Sequence, residues 1–193
     1  SDSAVLGLQE DLINDFIGKT LAHVYRAGDA LPDSVFVRDE KIWINAGGDE
    51  IEIMKVSEIG LPGSHNLANV LAATMAAYLA GADGGEIREG IKSFKGLPHR
   101  LQLVREVNGV RYYDDSYATG PDAASAAIKA FSSPVVLICG GSSKGAEFKT
   151  MAEAVKNSSV KAAVVVGEET DNIVKSFEDT GVDIPIKIGL KTM

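Results

Sequence analysis

The sequence has one cysteine, few aromatic residues and fewer basic than acidic side chains. Cys139 cannot form an internal disulfide, which favours a reducing, cytoplasmic setting. The formal net charge of −8 argues against a nucleic-acid binder, because such proteins usually present a basic face. Apolar runs such as 71–80 are too short to span a bilayer, and no secretory leader is recognisable, so we expect no membrane insertion. Zinc-type Cys/His spacing is also missing.

The 193 residues, 45% of them hydrophobic and 24% charged, suit one large globular domain or two small ones. Apolar spacing near the start predicts an amphipathic helix from Leu6 to Ile17. Short alternating segments then predict β-strands joined by hairpins, at Thr20–Tyr25, Ser34–Val37, Lys41–Asn45 and Glu50–Met54.

A helix is predicted to run from a cap at Ser64 to Ala80, where Gly81 stops it. Asn66 and Asn69 are three residues apart and therefore share a face of its first turns. Two side-chain amides there could read the edge of a nucleobase, since each offers a donor and an acceptor. They could equally serve as capping and solvent-facing residues.

A hairpin is predicted over 101–113, because alternating segments flank the strong turn signal Asn108-Gly109. It leads into the loop 114–120 and a helix with Pro121 at its first position. Strand, polar loop and helix start in succession can hold an anion through backbone N–H groups, or can form an ordinary connection.

The last 60 residues alternate predicted strands, at 134–139, 161–166 and 184–188, with helices. This pattern predicts an α/β fold with an open, mainly parallel sheet, whose first strand we expect to be buried on both faces. Ligands of such sheets bind beyond the carboxyl ends of strands, where we place the loops 114–120 and 140–145. Lys144 in the second loop offers a point charge for a carboxylate or phosphate, or is an ordinary solvated lysine.

Four segments, in this order and spacing, resemble the Mur ligase family of ATP-dependent amide-forming enzymes of peptidoglycan precursor synthesis. They read G-S-H-N-L-A-N at 63–69, G-L-P-H-R at 96–100, D-D-S-Y-A-T at 114–119 and G-G-S-S-K-G-A-E-F at 140–148. Within that family, the second and fourth segments are most similar to the branch that adds D-glutamate. The resemblance covers about 56–166 and is looser over 1–55.

The resemblance implies that 1–96 is the end of the central ATP-binding domain and 97–193 the first part of a Rossmann-like C-terminal ligase domain. The chain would then be a fragment, with the phosphate-binding loop and the Mg²⁺ ligands upstream of it. By the same resemblance, Asn66 and Asn69 contact adenine, Arg100 reaches the phosphates of ATP, and Asp115 bonds the ribose. Ser116, Tyr117, Thr119 and Lys144 belong to the substrate site, where Thr119 and Lys144 hold D-glutamate.

The implied reaction transfers the γ-phosphoryl group of ATP to the carboxylate of UDP-N-acetylmuramoyl-L-alanine, and D-glutamate attacks the resulting acyl phosphate. Arg100 and Lys144 are the catalytic candidates, and the implied enzyme is a cytoplasmic monomer with only small-molecule partners. Tyr117 stands where the family commonly has lysine, which leans toward relatives that add another amino acid. A Mur-type or folylpolyglutamate-type ligase of different specificity, and a non-catalytic nucleotide-binding module, are the alternatives.

Overall fold

The computed structural model describes residues 2–7, 19–20, 22–142 and 145–190. The chain forms two compact units, Ser1–Gly96 and Leu97–Met193, each with its own hydrophobic core. No helix within the described ranges has the length and apolar character that crossing a membrane requires. The helix predicted over 6–17 is not seen at Leu6, which belongs to a strand, and 8–17 lie outside the described residues.

A five-stranded sheet with the order β1-β2-β3-β4-β5 underlies the first unit. Its strands are β1 (Ser3–Leu6), β2 (His23–Gly28), β3 (Ser34–Arg38), β4 (Lys41–Ala46) and β5 (Asp49–Lys55). The predicted hairpins are confirmed between β3, β4 and β5, which pair antiparallel. They are wrong between β2 and β3, which run parallel because a compact loop at 29–33 returns the chain alongside β2.

Two helices pack on this sheet, α1 (Ser64–Leu79) and α2 (Gly84–Ser93). The core they share with the strands includes Val35, Ile42, Ile44, Met75 and Ile87. The predicted cap at Ser64 was wrong by one residue: Gly63 is the N-cap and Ser64 the first helical residue. Gly63 has a φ of 95°, a conformation in which glycine is favoured over serine.

The second unit begins with the predicted hairpin, formed by β6 (Gln102–Val107) and β7 (Val110–Asp114). Asn108 and Gly109 have φ values of 50° and 78°, the two positive values that a two-residue hairpin turn requires. The hairpin forms a separate two-stranded sheet, so the loop after β7 does not follow a strand of the parallel sheet as predicted. A turn that closes locally leaves the hairpin free to stand apart from the larger sheet.

A parallel sheet with the order β10-β9-β8 confirms the α/β prediction. Its strands are β8 (Val135–Gly141), β9 (Val160–Gly167) and β10 (Ile186–Leu190), and the helices are α3 (Pro121–Lys129), α4 (Lys149–Lys156) and α5 (Thr170–Thr180). All three helices contribute to one core, with Ile128, Met151, Val155, Ile173 and Phe177.

The expectation that β8 is buried on both faces was wrong. Val135, Leu137 and Cys139 pack against the helical core, but Val136 and Ile138 on the opposite face are 64% and 58% exposed. A run of apolar residues shows that both faces of a strand are suited to burial. Whether a face is buried depends on whether another element packs against it.

Candidate functional site

The G-L-P-H-R segment forms a tight turn at the start of the second unit. Arg100 donates its backbone N–H to the carbonyl of Leu97 at 3.2 Å. On either side of Arg100, His99 and Leu101 have φ values of 61° and 43°, in the left-handed region that non-glycine residues seldom adopt. Such a turn persists only when surrounding contacts hold it, and contacts come from the end of β7 and the loop after it.

Two adjacent carboxylates hold the turn. Asp114 Oδ2 lies 2.7 Å from His99 Nδ1, and Asp114 Oδ1 accepts the backbone N–H of Ser116 at 2.9 Å. Asp115 Oδ1 accepts the backbone N–H of Leu101 at 2.9 Å. These contacts define what we call the acid clamp: the side chains of Asp114 and Asp115 with the groups of 99–101 and 116 that they bind.

The backbone adds to the acid clamp. The N–H of Tyr117 donates to the carbonyl of His99 at 3.1 Å, and the N–H of His99 donates to Gln102 Oε1 at 3.0 Å. The hydrogen bond from His99, followed by those from Ser116, lowers the pKa of the Asp114 carboxyl to about 2. Asp114 is therefore ionised at neutral pH, and a charged acceptor strengthens the hydrogen bonds it receives.

The predicted nucleotide contacts Arg100 and Asp115 are neighbours through Leu101. The Arg100 side chain is exposed, so its planar fork of donors is available to an anion such as a phosphate. The contact with Leu101 uses one oxygen of Asp115, and a carboxylate has a second oxygen that can accept from a ligand hydroxyl.

Ser116, Tyr117 and Thr119 are all exposed. The Tyr117 ring lies 5.4 Å from the His99 ring, tilted by 53°, and is 56% exposed. The predicted substrate residues of this loop thus lie beside the turn that carries Arg100. Their roles stay predictions.

The helices that follow the two predicted loops are in contact at their first turns. Helix α3 begins after Gly120 with Pro121 at its first turn, as predicted. Thr150 Oγ1 in the first turn of α4 donates to Asp122 Oδ1 in the first turn of α3 at 3.1 Å. Lys144 lies outside the described residues, so its predicted role with Arg100 stays untested.

The glycine pair at the end of β8 has two different environments. A Cβ at Gly140 would lie 1.9 Å from the carbonyl oxygen of Val166 in β9, whereas a Cβ at Gly141 would meet no atom within 4 Å. Gly140 therefore lets β8 approach β9 closely where the 140–145 loop begins.

Asn66 and Asn69 lie in the first unit, in the first turns of α1. Asn66 Nδ2 donates to the carbonyl of Pro62 at 2.7 Å, so one of its two N–H groups ties down the preceding turn. Asn69 is exposed. Asn66 therefore holds the turn before α1 and does not cap the helix, whose N-cap is Gly63, and an adenine contact by either amide stays a prediction.

Sequence reasoning had not identified Asp114 as a residue with a role of its own. The sequence signal is the hairpin, which brings residues before β6 next to residues after β7. A bulge near 103–105 changes the pairing by one residue, so that Gln102 pairs with Asp114. No group of three or more His, Cys, Asp or Glu side chains suited to a metal ion occurs in the described ranges.

Comparisons of this chain with known proteins all point to one family. Residues 99–187 match the family model described as "Mur ligase, glutamate ligase domain". Curated relatives named UDP-N-acetylmuramoylalanine--D-glutamate ligase include those of Thermoanaerobacter sp., 41% identical over 74% of this chain and 31% of the relative, and Symbiobacterium thermophilum, 37% identical over 97% and 42%. The chain thus spans about two fifths or less of the length of these relatives.

Solved structures support the fold. A UDP-N-acetylmuramoylalanyl-D-glutamyl-2,6-diaminopimelate--D-alanyl-D-alanyl ligase from Acinetobacter baumannii aligns with a TM-score of 0.70 at 15% identity, over 98% of this chain and 42% of that one. MurC from Thermotoga maritima aligns with a TM-score of 0.64 at 16% identity, over 96% and 43%. The four motifs, the parallel sheet and these matches lead to one conclusion: the chain belongs to the Mur ligase family, and residues 99–187 match that family's glutamate ligase domain.

Proposed function

We propose that this chain is part of an ATP-dependent ligase that joins D-glutamate to UDP-N-acetylmuramoyl-L-alanine through an acyl phosphate. The observation that carries the proposal is the acid clamp, which makes Arg100 and Asp115 neighbours in the motif segments that resemble the family. The names and identities of the curated relatives support the choice of D-glutamate. Residues 1–96 would end the central ATP-binding domain, and 97–193 would begin the C-terminal ligase domain.

In the proposed reaction the chain positions reactants and neutralises charge. Arg100 binds phosphate oxygens of ATP, where a guanidinium fork can make two parallel hydrogen bonds. Asp115 accepts from a ribose hydroxyl, and the amides of Asn66 and Asn69 contact adenine. Phosphoryl transfer depends mainly on such positioning and on stabilisation of developing charge, so a misplaced Arg100 should slow it strongly.

The incoming amino acid would be held by Thr119 and Lys144, with Ser116 and Tyr117 beside them. Lys144 would pair with the side-chain carboxylate of D-glutamate, and its charge would stabilise that anion in the site. By the resemblance to the family, the Mg²⁺ that accompanies ATP would take its ligands from other parts of the longer protein. We propose a cytoplasmic monomer with small molecules as its only partners.

A second candidate is a Mur-type ligase that adds a different amino acid. Tyr117 favours it, because an exposed phenol replaces the lysine common in the family and so removes one cation from the substrate loop. The loss of a cation would weaken the binding of a dicarboxylate such as glutamate more than the binding of an amino acid with an uncharged side chain.

The test is amino-acid-dependent phosphate release by the full-length protein that contains this chain, with UDP-N-acetylmuramoyl-L-alanine and ATP. We expect release with D-glutamate and little with L-alanine or D-alanyl-D-alanine. Release with another amino acid and none with D-glutamate would favour the second candidate, and ATP binding without any release would favour a non-catalytic module. The 193-residue chain alone should show no turnover, since the resemblance places the phosphate-binding loop and the Mg²⁺ ligands outside it.

A further inference from the structure

We propose that Asp114 is a positioning residue of the ligase reaction, which acts through His99 to set the place of the Arg100 guanidinium. The inference rests on the proposed function, in which Arg100 binds ATP phosphates. It assigns a role to a side chain that neither the motif nor the comparisons single out. Asp114 would not touch a substrate.

Asp114 contacts two separate segments of the site. Its two oxygens have different partners: Oδ2 binds His99 Nδ1 at 2.7 Å, and Oδ1 binds the N–H of Ser116 at 2.9 Å. One carboxylate therefore joins the turn before Arg100 to the loop that bears the predicted substrate residues. A group that joins two site segments in this way fixes their relative placement.

The contact between Asp114 and His99 holds an unusual backbone conformation. His99 and Leu101 both have positive φ, so the backbone around Arg100 is in a conformation that an isolated chain would avoid. Asp114 holds His99, and Asp115 holds the N–H of Leu101. Without the Asp114 contact the turn would relax toward negative φ at His99. The backbone of Arg100 would then no longer be held in one position, and neither would its guanidinium.

The contact between His99 and Asp114 is too exposed to contribute mainly to stability. The side chains of His99 and Asp114 are 49% and 32% exposed, and exposed ion pairs contribute little to the free energy of unfolding. A large loss of activity on replacing Asp114 would therefore reflect the placement of Arg100. The matched control is Asp83, an exposed aspartate that accepts the N–H of Glu86 at 2.9 Å as the cap of α2 in the first unit.

The experiment measures KM and kcat for ATP, together with the Kd of ATP, in the full-length protein. We expect Asp114→Ala to lower kcat/KM for ATP by about 10-fold or more, since small misplacements of a reacting group have large kinetic effects. Asp83→Ala should leave kcat/KM within about twofold of the parent. In an Arg100→Ala background, Asp114→Ala should have little further effect, because residues that act through one another are non-additive.

A conservative replacement provides a rescue. His99→Asn keeps an N–H donor at the same distance from Cβ and tolerates positive φ, so it should retain more activity than His99→Ala. The proposal is overturned if Asp114→Ala matches Asp83→Ala, or if its effect persists in full in the Arg100→Ala background. If the parent binds ATP but releases no phosphate with D-glutamate, the proposed function fails; the positioning role is then tested by the Kd of ATP, which Asp114→Ala should raise and Asp83→Ala should not, and equal Kd values in the two variants would defeat it. A parent that binds no ATP would defeat both.

Discussion

Replacing Gly140 by alanine tests how the end of β8 is built, where the 140–145 loop begins. The added Cβ would lie 1.9 Å from the carbonyl oxygen and 2.7 Å from the carbonyl carbon of Val166. Both atoms belong to the backbone of β9, so no side-chain rotation can relieve the contact. The ends of the two strands must therefore separate by about 1 Å or more, since packed interiors leave no such space.

The expected cost follows from what this separation breaks. Val166 is paired with Gly140 in the β8–β9 ladder, so the backbone hydrogen bonds nearest the glycine are lost or lengthened. A lost hydrogen bond costs about 0.5–1.5 kcal/mol, and overpacking costs about 1–3 kcal/mol. We expect Gly140→Ala to lower the free energy of unfolding of the second unit by about 2–4 kcal/mol.

Gly141→Ala is the matched control, because a Cβ there meets no atom within 4 Å. The assay is urea unfolding of the 193-residue chain, with hydrogen–deuterium exchange of β8 and β9 amides reporting the second unit. Fluorescence of Trp43, the single tryptophan, reports the first unit, and the urea midpoint that it measures should not change. If the two alanine variants unfold at the same urea concentration, the close approach of β8 and β9 inferred here is incorrect.

Three further predictions concern the cores, the charges and the hairpin. Phe177→Ala, which empties a fully buried site of the second core, should cost about 3–5 kcal/mol there and leave the Trp43 transition unchanged; a shift of that transition would contradict two separate cores. Hydrogen bonds from Arg88 and then Lys92 lower the pKa of Glu58 to about 2, so its stabilisation is complete above the ordinary value of 4.5 and is lost as the pH falls toward 2. The urea midpoint of Glu58→Gln should therefore lie below that of the parent at pH 6 and approach it at pH 3, and an equal difference at both pH values would refute this. Asn108→Val places a β-branched residue at a φ of 50° and should speed amide exchange across β6–β7 relative to Asn108→Gly, whereas equal exchange in both variants would refute it.

The elements that were predicted correctly are those defined by a few neighbouring residues in the sequence. The β6–β7 hairpin followed from Asn108-Gly109, because few residue pairs accept two consecutive positive φ values. The start of α3 followed from Pro121, whose missing N–H costs nothing in a first helical turn. The cap of α1 was misplaced because glycine at position 63 offers a backbone conformation that the propensity of Ser64 does not reveal.

The parts that sequence could not supply depend on residues far apart in the chain. The hydrophobic run of β8 shows that both faces tolerate burial, but only the packing of α3, α4 and α5 on one face decides that Val136 and Ile138 stay exposed. The parallel pairing of β2 with β3 likewise depends on how the 29–33 loop folds back.

The candidate site divides in the same way. By itself the sequence determined the types of residue available, an arginine in a proline-containing turn and two consecutive aspartates after a strand. Only the tertiary structure decided which aspartate meets which partner, because a one-residue bulge in the hairpin changes the register beyond it. Successive side chains along a strand point to opposite sides of the sheet. In the register that follows the bulge, Asp114 therefore contacts His99 and Asp115 contacts the backbone of Leu101.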